Sequence, residues 1–174
     1  MATIEAKERK GHMKNINLAR AIAAGFIGTL LMTMIMMLSP AMGMPKMDIA
    51  AMLGSMFAGQ PPAMGSGAWL VGFAMHLMIG VVLLPIGFAV VNNYLPTSSP
   101  LARGLFFGVL VWLVAQLMVM PMMGAGLFSS HLPQGMMMAG GSLMGHLVYG
   151  GIVGLVYGRR ESEEAGAQDC TLCL

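Results

Sequence analysis

The chain has 174 residues, of which 57% are hydrophobic and only 9% are charged. Because an ordinary soluble domain carries roughly 25% charged residues, this chain cannot cover a water-facing surface. Its formal net charge of +2 gives no reason to expect a nucleic-acid partner. Composition therefore favours a protein of the lipid bilayer.

Four apolar stretches are long enough to cross the hydrocarbon core, which needs about 20 residues of helix. They run over 21–43, 68–91, 104–123 and 137–158, and none of them contains a Lys, Arg, Asp or Glu. Since lipid offers no hydrogen-bond partner to the backbone, such spans are helices. We expect an all-α fold, a bundle of four transmembrane helices occupying residues 19–158.

The basic residues outside the spans predict the orientation, because Lys and Arg collect on the cytoplasmic side. Lys46 is the single basic residue on the other side. Both termini are therefore expected in the cytoplasm, with the chain in the cell inner (plasma) membrane. Residues 1–18 form a basic arm and 161–174 a flexible tail, whose Cys170 and Cys173 are expected to be reduced thiols.

A short motif occurs twice in the chain. His76-Leu77 followed by Gly80 matches His146-Leu147 followed by Gly150, and the first and third spans share a weaker pattern of Gly and Pro. Both copies would enter the membrane from the same side. The pattern predicts two parallel helical-hairpin repeats related by an axis along the membrane normal.

One polar side chain from each span is expected at a common depth. Counting 1.5 Å per residue from the span ends places Thr33, His76, Gln116 and His146 in one layer. Small residues four apart share a face with each histidine, as expected where membrane helices approach closely. These helix-packing positions are Gly72, Gly80, Ser142, Gly150, Gly154 and Gly158.

Three interpretations of this layer stay open. Hydrogen bonds among its side chains would fix the helix register. Alternatively, His76 and His146 would be the axial ligands of a b-type haem, for which the glycines one turn away would leave room. A transition-metal site or a proton path is the third interpretation, since buried ionisable groups in membranes are often functional.

The 22 methionines are far above normal usage. On the side away from the cytoplasm, Met42, Met44 and Met47, together with His131, are candidate ligands for Cu(I), which thioethers select. The competing interpretation, which we favour from sequence, makes 44–53 a short amphipathic helix lying on the membrane with its methionines against lipid.

No nucleophile with a base, carboxylate pair or phosphate-binding loop is recognisable in the sequence, so we expect no catalysis by this chain alone. The leading hypothesis is an accessory or anchoring subunit that packs on other membrane subunits, or on another copy, through its glycine faces. The alternatives are a b-haem electron-transfer protein and a Cu(I)-handling protein.

Three stretches, 25–29, 45–55 and 145–150, resemble a family of small prokaryotic four-helix membrane proteins that are rich in Gly and Met. The family is grouped only as a domain of unknown function. The resemblance covers most of residues 20–158. It implies the four-span fold and neither a ligand nor a reaction.

Overall fold

The computed structural model describes residues 17–97 and 99–158. All regular structure in these two ranges is helical, and four of the helices are long and apolar enough to cross a membrane. The expected all-α, four-span fold is therefore confirmed, and the protein is a multi-pass membrane protein. The predicted basic arm, except for its last two residues, and the tail with Cys170 and Cys173 lie outside the described residues.

Five helices and one short 3₁₀ helix, Leu127–Ser129, make up the regular structure of the described residues. In chain order the five are α1 (Leu18–Met42), α2 (Ile49–Ala58), α3 (Gly67–Tyr94), α4 (Pro100–Met122) and α5 (Gly135–Gly158), of which all but α2 are spans. The end of the bundle where α1 begins and α5 ends is called the termini side, and the opposite end is the α2 side. Which membrane face each end occupies stays a prediction, as does the relation of the two hairpins as repeats.

Local capping, rather than the apolar run, sets where these helices begin. The Asn17 side chain accepts a hydrogen bond from the Arg20 N–H at 3.0 Å, and the Ser66 hydroxyl accepts one from Trp69 at 3.4 Å. Pro100 occupies the first turn of α4, where a missing N–H costs nothing. These three spans therefore start one to four residues before the hydrophobic stretches that predicted them.

The helix α5 is the centre of the bundle, packing on α1 and on α4, while α1 also packs on α3. The remaining side, between α3 and α4, is closed near the termini side by aromatic rings. Phe88 of α3 makes edge-to-face contacts with Phe107 of α4 at 5.2 Å and with Tyr157 of α5 at 6.1 Å. The short helix α2 lies along the first half of α3.

Glycines set the register of these contacts because their missing side chains let backbones touch. A Cβ on Gly104 would overlap the Gly150 carbonyl, and a Cβ on Gly108 would overlap the His146 carbonyl. Gly150 is one of the predicted packing positions. Four more of them also contact other helices: Gly72 packs on α2, Gly80 packs on Thr29, Gly154 packs on Gly104, and Gly158 packs on Pro100. The glycine faces are thus occupied by helices of this same chain.

Gly104→Ala should lower the free energy of unfolding by about 1–3 kcal/mol, the usual cost of overpacking a close contact. Denaturant titration of the purified protein in mild detergent measures it. The matched control is Gly140→Ala on α5, where a Cβ would meet nothing within 4 Å. Equal stability of the two variants would contradict the packing of α4 on α5.

Candidate buried polar site

His76 of α3 is buried and bound to Thr33 of α1. The Thr33 hydroxyl donates its single hydrogen to the Thr29 carbonyl at 2.8 Å, and the same oxygen lies 3.1 Å from His76 Nε2. Because that hydrogen is already used, Nε2 must carry the proton and donate to the Thr33 oxygen. In a neutral imidazole the other nitrogen, Nδ1, then holds a lone pair.

His146 of α5 is held in the opposite tautomer. Its Nδ1 lies 2.7 Å from the Ser142 carbonyl oxygen and 3.4 Å from the Ser142 hydroxyl. A carbonyl oxygen only accepts, so His146 Nδ1 carries the hydrogen and donates it. The lone pair of a neutral His146 therefore lies on Nε2.

One turn of α1 contacts both segments that carry the histidines. Thr33 binds His76, while the preceding residue, Met32, packs its side chain over Gly145, the residue before His146. The structure thus places three of the four residues of the predicted layer, one each from α1, α3 and α5, around a single turn.

Gln116, the fourth residue of that layer, lies apart from the histidines. The glycine contacts put Gly108 opposite His146, and Gln116 lies about 12 Å further along α4. Its side chain is completely buried, and neither amide atom has a hydrogen-bond partner among the described residues. Counting depth from the span ends put Gln116 level with the histidines. That count was wrong because the packing of α4 on α5, and not the length of the span, sets the register of α4.

A buried hydrogen bond that sequence reasoning missed joins α3 to α5. In the π-helical segment Met78–Leu83, the Leu84 N–H bonds the Ile79 carbonyl, and the next residue, Pro85, has no N–H. The Gly80 carbonyl is left without a backbone donor. The Tyr149 hydroxyl donates to it at 2.7 Å. The sequence signal for this unpaired carbonyl is a proline five residues after a glycine within a span.

The sulfur atoms of Met44 and Met47 meet over α5. A Cβ placed on Gly141 would lie 3.3 Å from Met44 Sδ and 3.4 Å from Met47 Sδ. The two sulfur atoms are therefore no farther apart than the sum of those distances, about 6.7 Å. The Cγ and Cε of Met32 cover Gly145 one turn further along the same helix, so three methionine side chains follow one face of α5.

The segment carrying Met44 and Met47 is fastened at both ends. Gly43, with a φ of +76°, reverses the chain after α1, and the Met44 N–H then donates to the Ser39 carbonyl at 3.0 Å. At the other end the Asp48 carboxylate caps α2 by accepting from the Ala51 N–H at 2.9 Å.

The same carboxylate links this segment to α3. Asp48 accepts a hydrogen bond from the Trp69 indole N–H at 3.1 Å. Met47, one residue before Asp48, is 9% exposed, and Met44 is half-buried. Their direction toward α5 is thus fixed by the backbone turn after α1 and by a capping carboxylate.

This geometry differs from the expected surface helix over 44–53. The helix α2 begins only at Ile49 and packs backbone to backbone on α3, where a Cβ on Gly72 would overlap the Ala50 carbonyl. Met47 faces the protein interior rather than lipid. A helix does form in this part of the chain, but α3 covers the face of α2 that carries Ala50 and Gly54.

Two of the candidate copper ligands lie elsewhere. Met42 is 60% exposed at the end of α1. His131 is exposed in the connection between α4 and α5, where its Nδ1 lies 3.2 Å from the Gly124 carbonyl. Of the predicted set, the structure brings together Met44 and Met47.

A b-type haem does not fit between the histidines. It would need the space beside Gly80 and Gly150, the glycines one turn along from His76 and His146. A Cβ on Gly80 would already overlap the Thr29 hydroxyl, and one on Gly150 would overlap the Gly104 carbonyl. Neighbouring helices fill the volume that a macrocycle would occupy.

The model of a family of unknown function, DUF6789, matches residues 16–168. The chain belongs to this family. The match includes all five helices and the whole polar site, and it extends beyond the range expected from the resemblance at both ends. No curated protein matches the chain, and no solved structure does. The family brings no known ligand or reaction.

The two histidines should differ in nitrogen-15 spectra of the purified, labelled protein. We expect the proton on Nε2 of His76 and on Nδ1 of His146, because Thr33 must accept from the first and the Ser142 carbonyl from the second. Thr33→Val should change the His76 signals and leave those of His146 in place. The same tautomer at both residues would contradict this assignment.

Proposed function

We propose that this membrane protein binds a soft metal ion of the Cu(I) class inside its helix bundle. The observation that carries the proposal is the convergence of the Met44 and Met47 sulfur atoms on Gly141, within about 6.7 Å of each other. Thioethers are soft ligands that select Cu(I) over the harder divalent ions. The role is one of binding, and no reaction is assigned to the chain.

Burial supports a ligand role for these methionines over simple contact with lipid. A methionine against lipid needs no fixed direction, whereas Met44 and Met47 are held by the Ser39 carbonyl and the Asp48 cap. They cover Gly141, which is less than two turns, about 9 Å, from the start of α5 at Gly135, so the pair lies close to the α2 side. An ion from solution can therefore reach them without crossing the bundle.

Neutral ligands favour a monovalent ion at this position. Within the described residues, Asp48 is the single carboxylate, and it already caps α2 and binds Trp69. The cost of burying an uncompensated ion rises steeply with its charge. A site built from thioethers thus takes Cu(I) more readily than Zn²⁺.

An accessory subunit is a second proposal, and the glycine contacts do not support it. It was inferred from glycine faces that would be open to a partner. Gly72, Gly80, Gly104 and Gly150 instead pack on other helices of the same chain. A partner subunit or a second copy would have to bind the lipid-facing side chains.

Met44→Leu with Met47→Leu should weaken Cu(I) binding at least tenfold, which is about 1.4 kcal/mol. Leucine keeps the volume of methionine, so the fold should persist. Competition with a Cu(I) chelator under reducing conditions measures the affinity, and X-ray absorption reports the loss of copper–sulfur contacts.

The matched control replaces two methionines that lie outside the cluster. Met37 is 75% exposed and Met136 is 80% exposed. Met37→Leu with Met136→Leu should bind Cu(I) like the unmodified protein. Equal loss in both double variants, or no Cu(I) binding by the unmodified protein, would refute the proposal.

A further inference from the structure

The two histidines each present a ring nitrogen that the protein does not use. Thr33 occupies His76 Nε2, and Ser142 occupies His146 Nδ1. The described residues make no hydrogen bond to His76 Nδ1 or to His146 Nε2, the two nitrogens that hold the lone pairs. Hydrogen bonding therefore leaves each ring with one nitrogen lone pair that could bind a metal ion.

This arrangement is the one that metal-binding histidines adopt. A ligating imidazole almost always donates its other N–H to an oxygen, which fixes the tautomer and the ring orientation. His146 donates to a backbone carbonyl at 2.7 Å, and His76 donates to the Thr33 hydroxyl. Thr33 is itself held by its hydrogen bond to the Thr29 carbonyl. The orientation of each ring is therefore fixed by a hydrogen bond from the nitrogen that carries the proton.

The histidines lie deeper in the bundle than the methionine pair. Met44 and Met47 cover Gly141, Met32 covers Gly145, and His146 is the next residue along α5. Gly141 and Gly145 are one helical turn apart, about 6 Å along the axis. An ion leaving the first pair of sulfur atoms toward the imidazoles would pass the Met32 side chain.

We propose that His76 Nδ1 and His146 Nε2 form a second, deeper binding site for Cu(I), called the deeper station, which receives the ion from the Met44 and Met47 pair. Imidazole nitrogen is a good copper ligand. Both ligands are neutral, no bond is broken on binding, and the ion keeps its single charge. The station rests on the proposed function, since it receives the ion that the thioethers select.

Two substitutions remove the ligating nitrogen and keep the structural hydrogen bond. In His76→Gln the side-chain amide can still donate to Thr33 from the position of Nε2. In His146→Asn the amide can still donate to the Ser142 carbonyl from the position of Nδ1. Neither replacement retains the nitrogen that carries the lone pair, so folding and ligation are tested separately.

The experiment loads purified protein with Cu(I) in reducing buffer and measures bound copper and X-ray absorption. Unmodified protein should show both sulfur and nitrogen ligands. His76→Gln with His146→Asn should lose roughly half of the copper and its nitrogen contacts while keeping sulfur contacts. Thermal unfolding of the same samples verifies that the variants are folded.

The outcomes separate the two proposals. Nitrogen contacts absent from the unmodified protein, or unchanged in the His76→Gln, His146→Asn variant, overturn the deeper station and leave thioether binding intact. Nitrogen-bound copper that persists in Met44→Leu with Met47→Leu supports the station and overturns the methionine pair as its source. Unmodified protein that binds no Cu(I) overturns both.

A second readout does not depend on counting copper. Addition of Cu(I) to nitrogen-15-labelled protein should shift the signals of His76 Nδ1 and His146 Nε2, the nitrogens without protons. The protonated nitrogens, bonded to Thr33 and Ser142, should move much less. Shifts confined to His131, which is exposed in a connection, would overturn the assignment.

Discussion

The close contact of glycine with backbone is the interaction on which this structure depends. In lipid there is no hydrophobic force between helices, so association follows from van der Waals packing and polar contacts. Gly104 and Gly108 seat α4 on α5, and Gly80 seats α3 on α1. These contacts set the register, and the register decides which polar side chains meet. Thr33 reaches His76 because Gly80, one turn away, lets α3 approach Thr29.

The second constraint is that backbone groups inside a bilayer must find partners within the protein. Pro85 removes the donor that the Gly80 carbonyl would have used, and the Tyr149 hydroxyl replaces it at 2.7 Å. A second π-helical segment, Ala115–Val119 of α4, also comes shortly before a proline, Pro121. There the Met120 N–H bonds the Ala115 carbonyl, five residues earlier. Pro85 thus creates a polar contact between α3 and α5 in the interior of the bundle.

Particular residues show what the sequence could and could not predict. Hydropathy was sufficient for the four spans, and depth counting placed Thr33 beside His76. The same counting misplaced Gln116, because it treats each span as an upright rod and ignores the glycine contact that puts Gly108 opposite His146. The fit of α2 against α3 depends on residues far apart in sequence. The pattern around Met47 therefore resembled a lipid-facing surface.

The most direct test asks whether the segment before α2 enters the bundle. Met47→Cys and Gly141→Cys would be combined in a chain whose Cys170 and Cys173 are replaced by Ser, and the membranes treated with a short bifunctional thiol reagent. We predict efficient cross-linking of the pair and little labelling of Met47→Cys by a lipid-phase maleimide. Strong lipid-phase labelling without cross-linking would place Met47 on the membrane surface and contradict the account.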